Sequence, residues 1–419
     1  MKENIAKRNI LCIDLKSFFA SCECIERGLD PFKYPLVVAN PNQGDGAITL
    51  AVTPFLKAKG VKSRGRLFEI SKNIKYNIAK PRMNLYIKKS QEVISIYLNF
   101  ISKDDLHVYS IDECFLDVTD YLKLYDKTDE ELGKTILNEI FRKTGLTATC
   151  GIGPNMLLAK ISMDLEAKHN KNNIAKWTYD DVKTKLWKIT PLSNMWGIGK
   201  NLEKRLNNLN IYTVEDLALT NKYYLKDKFG IIGLELWNHA NGIDSSTIKD
   251  YKLLAKEKSY SHSQVLFKDY NETNIKIIIR EMVEVLGIKL HKNKKLTKCI
   301  GLGISYSKNI AGGFYHSVKI DNPTDSIKDI FDYCTNIFDR FYEYLPIRKV
   351  TVCLGLLEPK KDIQLNLFEN NNMKNEEEIS KAIIEIKDKF GKNSLIKAAN
   401  LLDDSTAIER NKKTGGHYE

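Results

Sequence analysis

No stretch of this 419-residue chain comes near the roughly 20 consecutive apolar residues that a membrane-spanning helix requires. Its start, MKENIAKRNILCID, passes directly into a short strand-like segment, so the expectation is a cytoplasmic chain, neither secreted nor membrane-inserted. The eight cysteines, at 12, 22, 24, 114, 150, 299, 334 and 353, show no pairing pattern and lie mostly in apolar runs such as ILCID, TCGIG and VCLGL. That predicts buried thiols in a reducing compartment and excludes a disulfide framework. Cys22 and Cys24 have one residue between them and lack a second Cys/His pair at zinc spacing, which argues against a zinc site. Acidic residues are the minority, 53 Asp+Glu against 65 Lys+Arg. The net charge of +12 favours a polyanionic partner, nucleic acid ahead of an acidic membrane surface.

Apolar material, by contrast, is ample. Hydrophobic residues make up 43% and aromatics 10%, which is enough for real cores and excludes global disorder. The length points to about two to four domains and excludes a peptide hormone or a single small binding module. Periodicity predicts a strand over 9–14, a helix over 17–27, a strand over 36–39 and a helix over 85–101. Two short strands with a tight bend follow over 107–118, then a helix over 130–143 and a strand over 147–152. This order predicts an α+β sheet with helices on one face, interrupted by a Lys-, Gly- and Pro-bearing insertion at 40–80. From 176 to 243 short helices replace strands. Between 260 and 356 the order β-α-β-β-α-β returns, a second ferredoxin-like unit. Beyond Glu358 the chain is polar, with one helix-like stripe at 377–402, and is expected to be mostly flexible.

Three carboxylates stand at the edges of apolar strands, where an unpaired acid is costly: Asp14 in NILCID, and Asp112 and Glu113 in YSIDECF. Neighbours on a flat strand point to opposite faces, so Asp112 and Glu113 act together only if the chain bends there. Clustered carboxylates without histidine suit Mg²⁺ or Mn²⁺, and two such ions about 3.5–4 Å apart can activate an attacking hydroxyl and stabilise a leaving oxygen. Equally, the three acids can be strand-end residues that cap backbone amides or pair with surface lysines.

Three segments now read together: Ile13-Asp14-Leu15-Lys16-Ser17-Phe18-Phe19-Ala20-Ser21-Cys22-Glu23, Ser110-Ile111-Asp112-Glu113, and Cys150-Gly151-Ile152-Gly153 with Asn155 and Leu158-Ala159-Lys160. They resemble the Y-family translesion DNA polymerases, most nearly the UmuC-like branch of Gram-positive bacteria, and the resemblance runs from residue 8 to 370. It implies an α+β right-hand polymerase with a ferredoxin-like palm (1–20 and 81–175), small fingers (21–80) and a helix-hairpin-helix thumb (176–243). A linker (244–256), a ferredoxin-like little finger (257–358) and a tail (359–419) complete it. On this division no length would be left for a proofreading exonuclease within these 419 residues.

By the same resemblance, Asp14 and Asp112 would bind two Mg²⁺ ions, Mn²⁺ being a possible substitute, for in-line nucleotidyl transfer. Glu113 would hold the ion at the primer 3′-hydroxyl, and the Leu15 carbonyl would add a ligand. Phe19 falls where the family places its steric gate against ribonucleotides, and Phe18 would pack beside the dNTP; the plain alternative is that both rings are helix core. Lys160 matches the lysine that reaches the triphosphate, though a lone lysine can be a solvated surface residue. Lys57 stands where many relatives have a phosphate-binding Arg, and Pro54 stands where the DinB-like branch has a Tyr. A phosphate grip there must therefore use Thr53, Lys57 or backbone groups.

Trp196-Gly197-Ile198-Gly199-Lys200 looks like the turn of a helix-hairpin-helix, whose amides hold a DNA phosphate of the primer–template without reading sequence. A helix C-cap uses glycine in the same way. Lys292, Lys294, Lys295 and Lys298 would give the little finger salt-dependent affinity, unless they form a solvated loop. Gln364-Leu365-Asn366-Leu367-Phe368 matches the peptide with which bacterial polymerases bind the β sliding clamp, the alternative being a strand folded back on its own domain. A UmuD-like protein or a recombinase filament is a further candidate partner, and a nucleoid-associated role in the SOS response to DNA damage is implied. Two rivals remain. One is a clamp- and DNA-binding accessory protein that barely catalyses, which Pro54 and Lys57 favour; the other is a palm-domain nucleotidyl cyclase, which leaves the hairpin and QLNLF without purpose.

Overall fold

The structure, a computed structural model, describes residues 8–250, 258–360, 372–414 and 417–418, with backbone alone for 372–377 and 417–418. It divides into two compact units, Met1–Ala255 with His417–Glu419, and Lys256–Gly416.

The first unit is built on β1 (Ile10–Leu15), an apolar run buried almost throughout. Helix α1 (Phe18–Ile25) follows, then β2 (Leu36–Val38), β3 (Ala51–Val52), α2 (Pro54–Ala58), β4 (Asn77–Ala79) and α3 (Met83–Tyr97). Next come β5 (Leu106–Val108), β6 (Glu113–Asp117), α4 (Leu122–Tyr125), α5 (Asp129–Thr144), β7 (Ala148–Gly153), α6 (Met156–Ser162) and β8 (Ile174–Lys176). The main sheet has the order β5-β6-β1-β7-β8, which puts β1 at its centre, antiparallel to both neighbours. Leu11, Ile13 and Leu15 face a core shared with Tyr86 and Val93 of α3 and with Leu132, Ile136 and Ile140 of α5. Alternation along the strand sends Ile10 and Cys12 to the other face, where they meet Met156, Ala159 and Met163.

Two expectations need correcting. Helices cover both faces of this sheet and not one, because CGIG lets α6 lie directly on β7. A Cβ on Gly151 would sit 2.1 Å from the Ala159 carbonyl oxygen, and one on Gly153 2.5 Å from the Ala159 nitrogen. The strand expected at 36–39 is β2, and it leaves the main sheet for a separate one of order β3-β2-β4 with its own core of Val37, Val52, Leu56 and Leu67.

Helices α7 (Lys200–Asn207), α8 (Val214–Leu219), α9 (Lys222–Phe229) and α10 (Ile231–Ala240) complete this unit around Leu206, Leu217, Leu225 and Leu236. Asn155 ties them to α6, its side-chain amide donating to the Gly242 carbonyl at 2.9 Å.

The second unit is the expected β-α-β-β-α-β: β9 (Ser259–Tyr270), α11 (Glu272–Lys292), β10 (Lys295–Tyr306), β11 (Gly313–Thr324), α12 (Ile327–Phe341) and β12 (Ile347–Gly355). Its antiparallel sheet has the order β11-β10-β12-β9 and packs one face on α11 and α12. The stripe expected over 377–402 is not one helix. Helix α13 (Asn372–Phe390) stops at Gly391, whose φ is +94°, and α14 (Ala407–Asn411) follows separately. Residues 405–410 are not loose either. Glu281 of α11, only 1% exposed in its side chain, accepts from Arg410 at 2.9 Å, from the Ser405 hydroxyl at 2.6 Å and from the Thr406 amide at 3.1 Å.

Removing Arg410 strands a buried carboxylate. Arg410→Ala is expected to destabilise this unit by about 3–5 kcal/mol, and the double change with Glu281→Gln to recover most of the loss, as read by urea unfolding. An unchanged midpoint for Arg410→Ala would show that the pair is not a clasp.

Among the described residues no helix is long and apolar enough to cross a membrane. All eight cysteines are free thiols, six of them buried, while Cys299 and Cys353 are half-buried.

Candidate active site

Strand pairing places the acids. Asp14 is the direct cross-strand partner of Glu113 in the β1–β6 ladder. Asp112 stands one residue before β6, where its carbonyl accepts from the Leu15 amide at 2.9 Å. The bend that the sequence requires is present: the Tyr109 and Ser110 amides both donate to the Glu113 carbonyl at 3.0 Å. The Ser110 hydroxyl donates to the Asp112 carboxylate at 2.7 Å.

Two lysines neutralise Asp14 and Glu113. Glu113, 7% exposed, accepts from Lys160 at 2.8 Å and from the Cys12 thiol at 3.2 Å. Asp14 accepts from Lys168 at 2.7 Å. Both ammonium groups also touch Asp164, Lys160 at 3.0 Å and Lys168 at 2.8 Å. Burial pushes the Asp14 carboxyl up to about 6 in spite of Lys168, and the charges of Asp112 and Glu113 add to the rise. Burial opposes the charge on Lys168, yet Asp14 and Asp164 hold its pKa above the ordinary lysine value.

The side chains of Asp14, Asp112 and Glu113, with the Leu15 carbonyl, offer only oxygen donors at adjoining backbone positions, which fits hard divalent cations. As arranged, the acids answer lysines: among the described residues no three His, Cys, Asp or Glu side chains are gathered as a metal-holding group. Cations there must compete with Lys160 and Lys168.

Phe18 is core, 3% exposed. Phe19 is half-buried and stacks on Tyr86 with ring centroids 4.4 Å apart and planes 13° from parallel. Tyr86 is fully buried and donates its hydroxyl to Glu23 at 2.8 Å. Glu23, itself buried, also accepts from Arg27, and from Arg82 at 3.0 and 2.8 Å.

Lys57 lies on α2 and is reached by solvent. The protein mass around its ammonium lowers its pKa, with Asp14 and Asp112 pulling the other way and Lys168 adding to the drop. Thr53 is not available for a phosphate grip. It is fully buried, and its hydroxyl donates to the Tyr34 carbonyl at 2.8 Å.

The 196–200 turn lies between a 3₁₀ turn, Leu192–Asn194, and α7. Gly197 has a φ of +90° and Ile198 is buried, while Gly199 is the N-cap of α7 and Lys200 its first residue. Gly199 offers no side chain to cap α7, and the first amides of any α-helix lack intrahelical acceptors. Trp196 joins this turn to the acidic hairpin: its indole N–H donates to the Tyr109 hydroxyl at 3.3 Å, and its ring lies 6.0 Å from that of Phe115. In the second unit, Lys292 pairs with Asp388 at 2.5 Å and Lys298 with Glu358 at 2.7 Å. Gln364, Leu365, Leu367 and Phe368 lie outside the described residues.

Lys168 and Asp164 were not singled out by the sequence. Lys160, expected at the triphosphate, is 9% exposed in its side chain, whereas Lys168 is 34% exposed beside Asp14. The readable signal was the four-residue spacing of Lys160, Asp164 and Lys168, one face of a helix.

Comparison with known proteins places the chain in a family. The sequence profile of the impB/mucB/samB family matches residues 13–164, its C-terminal domain 257–367, and its helix-hairpin-helix motif 179–211. The chain is 39% identical over 415 residues to the putative UV-damage repair protein UvrX of Bacillus subtilis, covering 98% of each. It is 34% identical to DNA polymerase IV 2 of the same organism, over 100% of both chains. Among solved structures it is similar to a Y-family DNA polymerase chimera, Dbh-Dpo4(243-245)-Dbh, with a TM-score of 0.65 and 22% identity over 85% of this chain and 100% of that one.

Proposed function

The chain belongs to the impB/mucB/samB family of Y-family DNA polymerases, and from that premise we propose that it copies damaged templates at low fidelity in an SOS-type response. It is a DNA-directed DNA polymerase with an α+β fold. The observation that carries the mechanistic reading is the cross-strand pairing of Asp14 with Glu113 beside the bend at Asp112.

In this reading 1–20 and 81–175 form the palm, 21–80 the fingers, 176–243 the thumb and 257–358 the little finger. Asp14, Asp112, Glu113 and the Leu15 carbonyl would hold two Mg²⁺ or Mn²⁺ ions. When bound, these ions supply Lewis-acid activation of the primer hydroxyl and charge neutralisation at the leaving phosphate. Glu113, at the end of the β1–β6 ladder, would hold the ion at the primer 3′-hydroxyl. Lys168 and Lys57, the two more accessible ammonium groups, bind the triphosphate of the incoming dNTP. Lys160, the more buried ammonium, would hold Glu113 in place until a cation takes that carboxylate. Phe19 excludes a ribose 2′-hydroxyl. The amides at Gly199 and Lys200 hold a primer–template phosphate.

The sliding clamp is proposed as partner through Gln364, Leu365, Leu367 and Phe368, which would raise processivity through effective concentration. A UmuD-like protein or recombinase filament is a secondary candidate.

Primer extension on an undamaged primed template with Mg²⁺ and single dNTPs tests both proposals. The intact protein is expected to incorporate the templated deoxynucleotide. Added clamp should raise product length severalfold, a gain lost in the Leu367→Ala, Phe368→Ala double variant while basal extension persists. Failure to incorporate with DNA binding and clamp present would favour the weakly catalytic accessory reading, which Pro54 supports. Equal loss of basal and clamp-stimulated synthesis would sink the clamp motif.

A further inference from the structure

Asp164 has no role in the chemistry above, yet the charges around the site meet on it. One of its oxygens lies 3.0 Å from Lys160 Nζ and the other 2.8 Å from Lys168 Nζ. The same ammonium groups lie 2.8 Å from Glu113 and 2.7 Å from Asp14. The result is one continuous chain of charge, Glu113–Lys160–Asp164–Lys168–Asp14. Local structure sets it up: α6 runs into a π turn, Met163–Ala167, that aims Asp164 at a lysine four residues on either side.

We propose that Asp164 is a positioning residue for the incoming triphosphate, retaining Lys160 and Lys168 when Asp14 and Glu113 are taken by divalent cations. An ammonium shared between two carboxylates can release one and stay held by the other through a charge-assisted hydrogen bond. Held in this way, Lys168 keeps its charge beside the acids instead of swinging away on its flexible stem. Without Asp164, Lys168 has Asp14 as its remaining carboxylate, so it competes harder with an arriving cation and is unanchored once displaced. This role rests on Lys168 binding the triphosphate, as proposed above.

Asp164→Asn keeps the shape and removes the charge. The KM for the incoming dNTP is expected to rise about tenfold, within the range of coupling energies for contacting groups, with kcat and primer–template Kd little changed. Mn²⁺ binding without nucleotide, followed by electron paramagnetic resonance of the free ion, should weaken severalfold. Loss of any nearby negative charge could weaken Mn²⁺ binding, so the same change is also made in a Lys168→Gln background. There it should move both quantities clearly less, the remainder coming from the Lys160 contact with Asp164, and Asp164→Glu alone should restore most of the KM.

Equal effects of Asp164→Asn in both backgrounds, or an unchanged KM, would overturn the positioning role. If Lys168→Gln itself leaves the dNTP KM unchanged, the assignment of Lys168 to the triphosphate fails first and the role of Asp164 falls with it. An unstable Asp164→Asn protein still leaves Asp164→Glu against Lys168→Gln to decide.

Discussion

Glu113→Ala is expected to lower single-nucleotide incorporation by on the order of 10³-fold, the upper end of what one preorganised charged group contributes, while primer–template affinity stays near that of the intact protein. The expectation follows from where the ladder puts this carboxylate. Glu113 is the register partner of Asp14, and its backbone carbonyl accepts from the Tyr109 and Ser110 amides, so its position is held by main-chain bonds on both sides. Its loss also leaves Lys160, 9% exposed, without one of two carboxylate partners. Thermal unfolding must therefore accompany the rate measurement. Glu113→Gln, which can still accept from Lys160, separates a folding defect from a chemical one. Rapid-quench incorporation at saturating DNA gives the answer directly. A Glu113→Ala protein that folds, binds DNA and incorporates dNTPs at the normal rate would remove the acid site from the mechanism.

Phe19→Ala is expected to lower the preference for deoxynucleotides over ribonucleotides by about 10²-fold, mainly through faster ribonucleotide use. Forcing an added atom into a packed site costs roughly 1–3 kcal/mol when the wall cannot yield, and each 1.4 kcal/mol is a factor of ten. The wall here is stiff for a visible reason. Phe19 stacks 4.4 Å from Tyr86, Tyr86 is tied to Glu23 at 2.8 Å, and Glu23 is clamped by Arg82 at 3.0 and 2.8 Å. The ratio of kcat/KM for a dNTP and its matching rNTP is the right observable, because a partly unfolded preparation lowers both terms alike. An unchanged ratio would return Phe19 to the status of a core ring, as Phe18 already is.

Legibility varied with the range of the interaction involved. Strands β1, β6 and β7 and helix α5 could be read because their apolar periods are local and their ends carry local signals. An example is the Thr128–Glu131 capping box and the Gly145 C-cap of α5. The bend between β5 and β6 was readable because two adjacent acids on a strand edge can act together only if the chain turns. The membership of β2 was not readable, since a three-residue apolar strand carries no mark of which sheet it joins. Nor could the sequence foresee that residues 405–410 close on α11, because the partner, Glu281, lies more than 120 positions earlier and neither segment looks incomplete alone.

The residue types of the candidate site could be read locally: three carboxylates with oxygen-only donors, a Phe-Phe pair, a glycine turn and an excess of basic charge. The sequence also determined the order of the elements that carry them, because secondary-structure period and turn chemistry act over a few residues. Tertiary structure alone decided which charges meet. Lys160 was drawn inward to Glu113, Lys168 was left accessible beside Asp14, and Asp164 was set between them. That division has a physical cause. The identity of a charged side chain is local, but its role is set by burial and by partners within about 4 Å, which come from strands and helices as many as 154 residues apart.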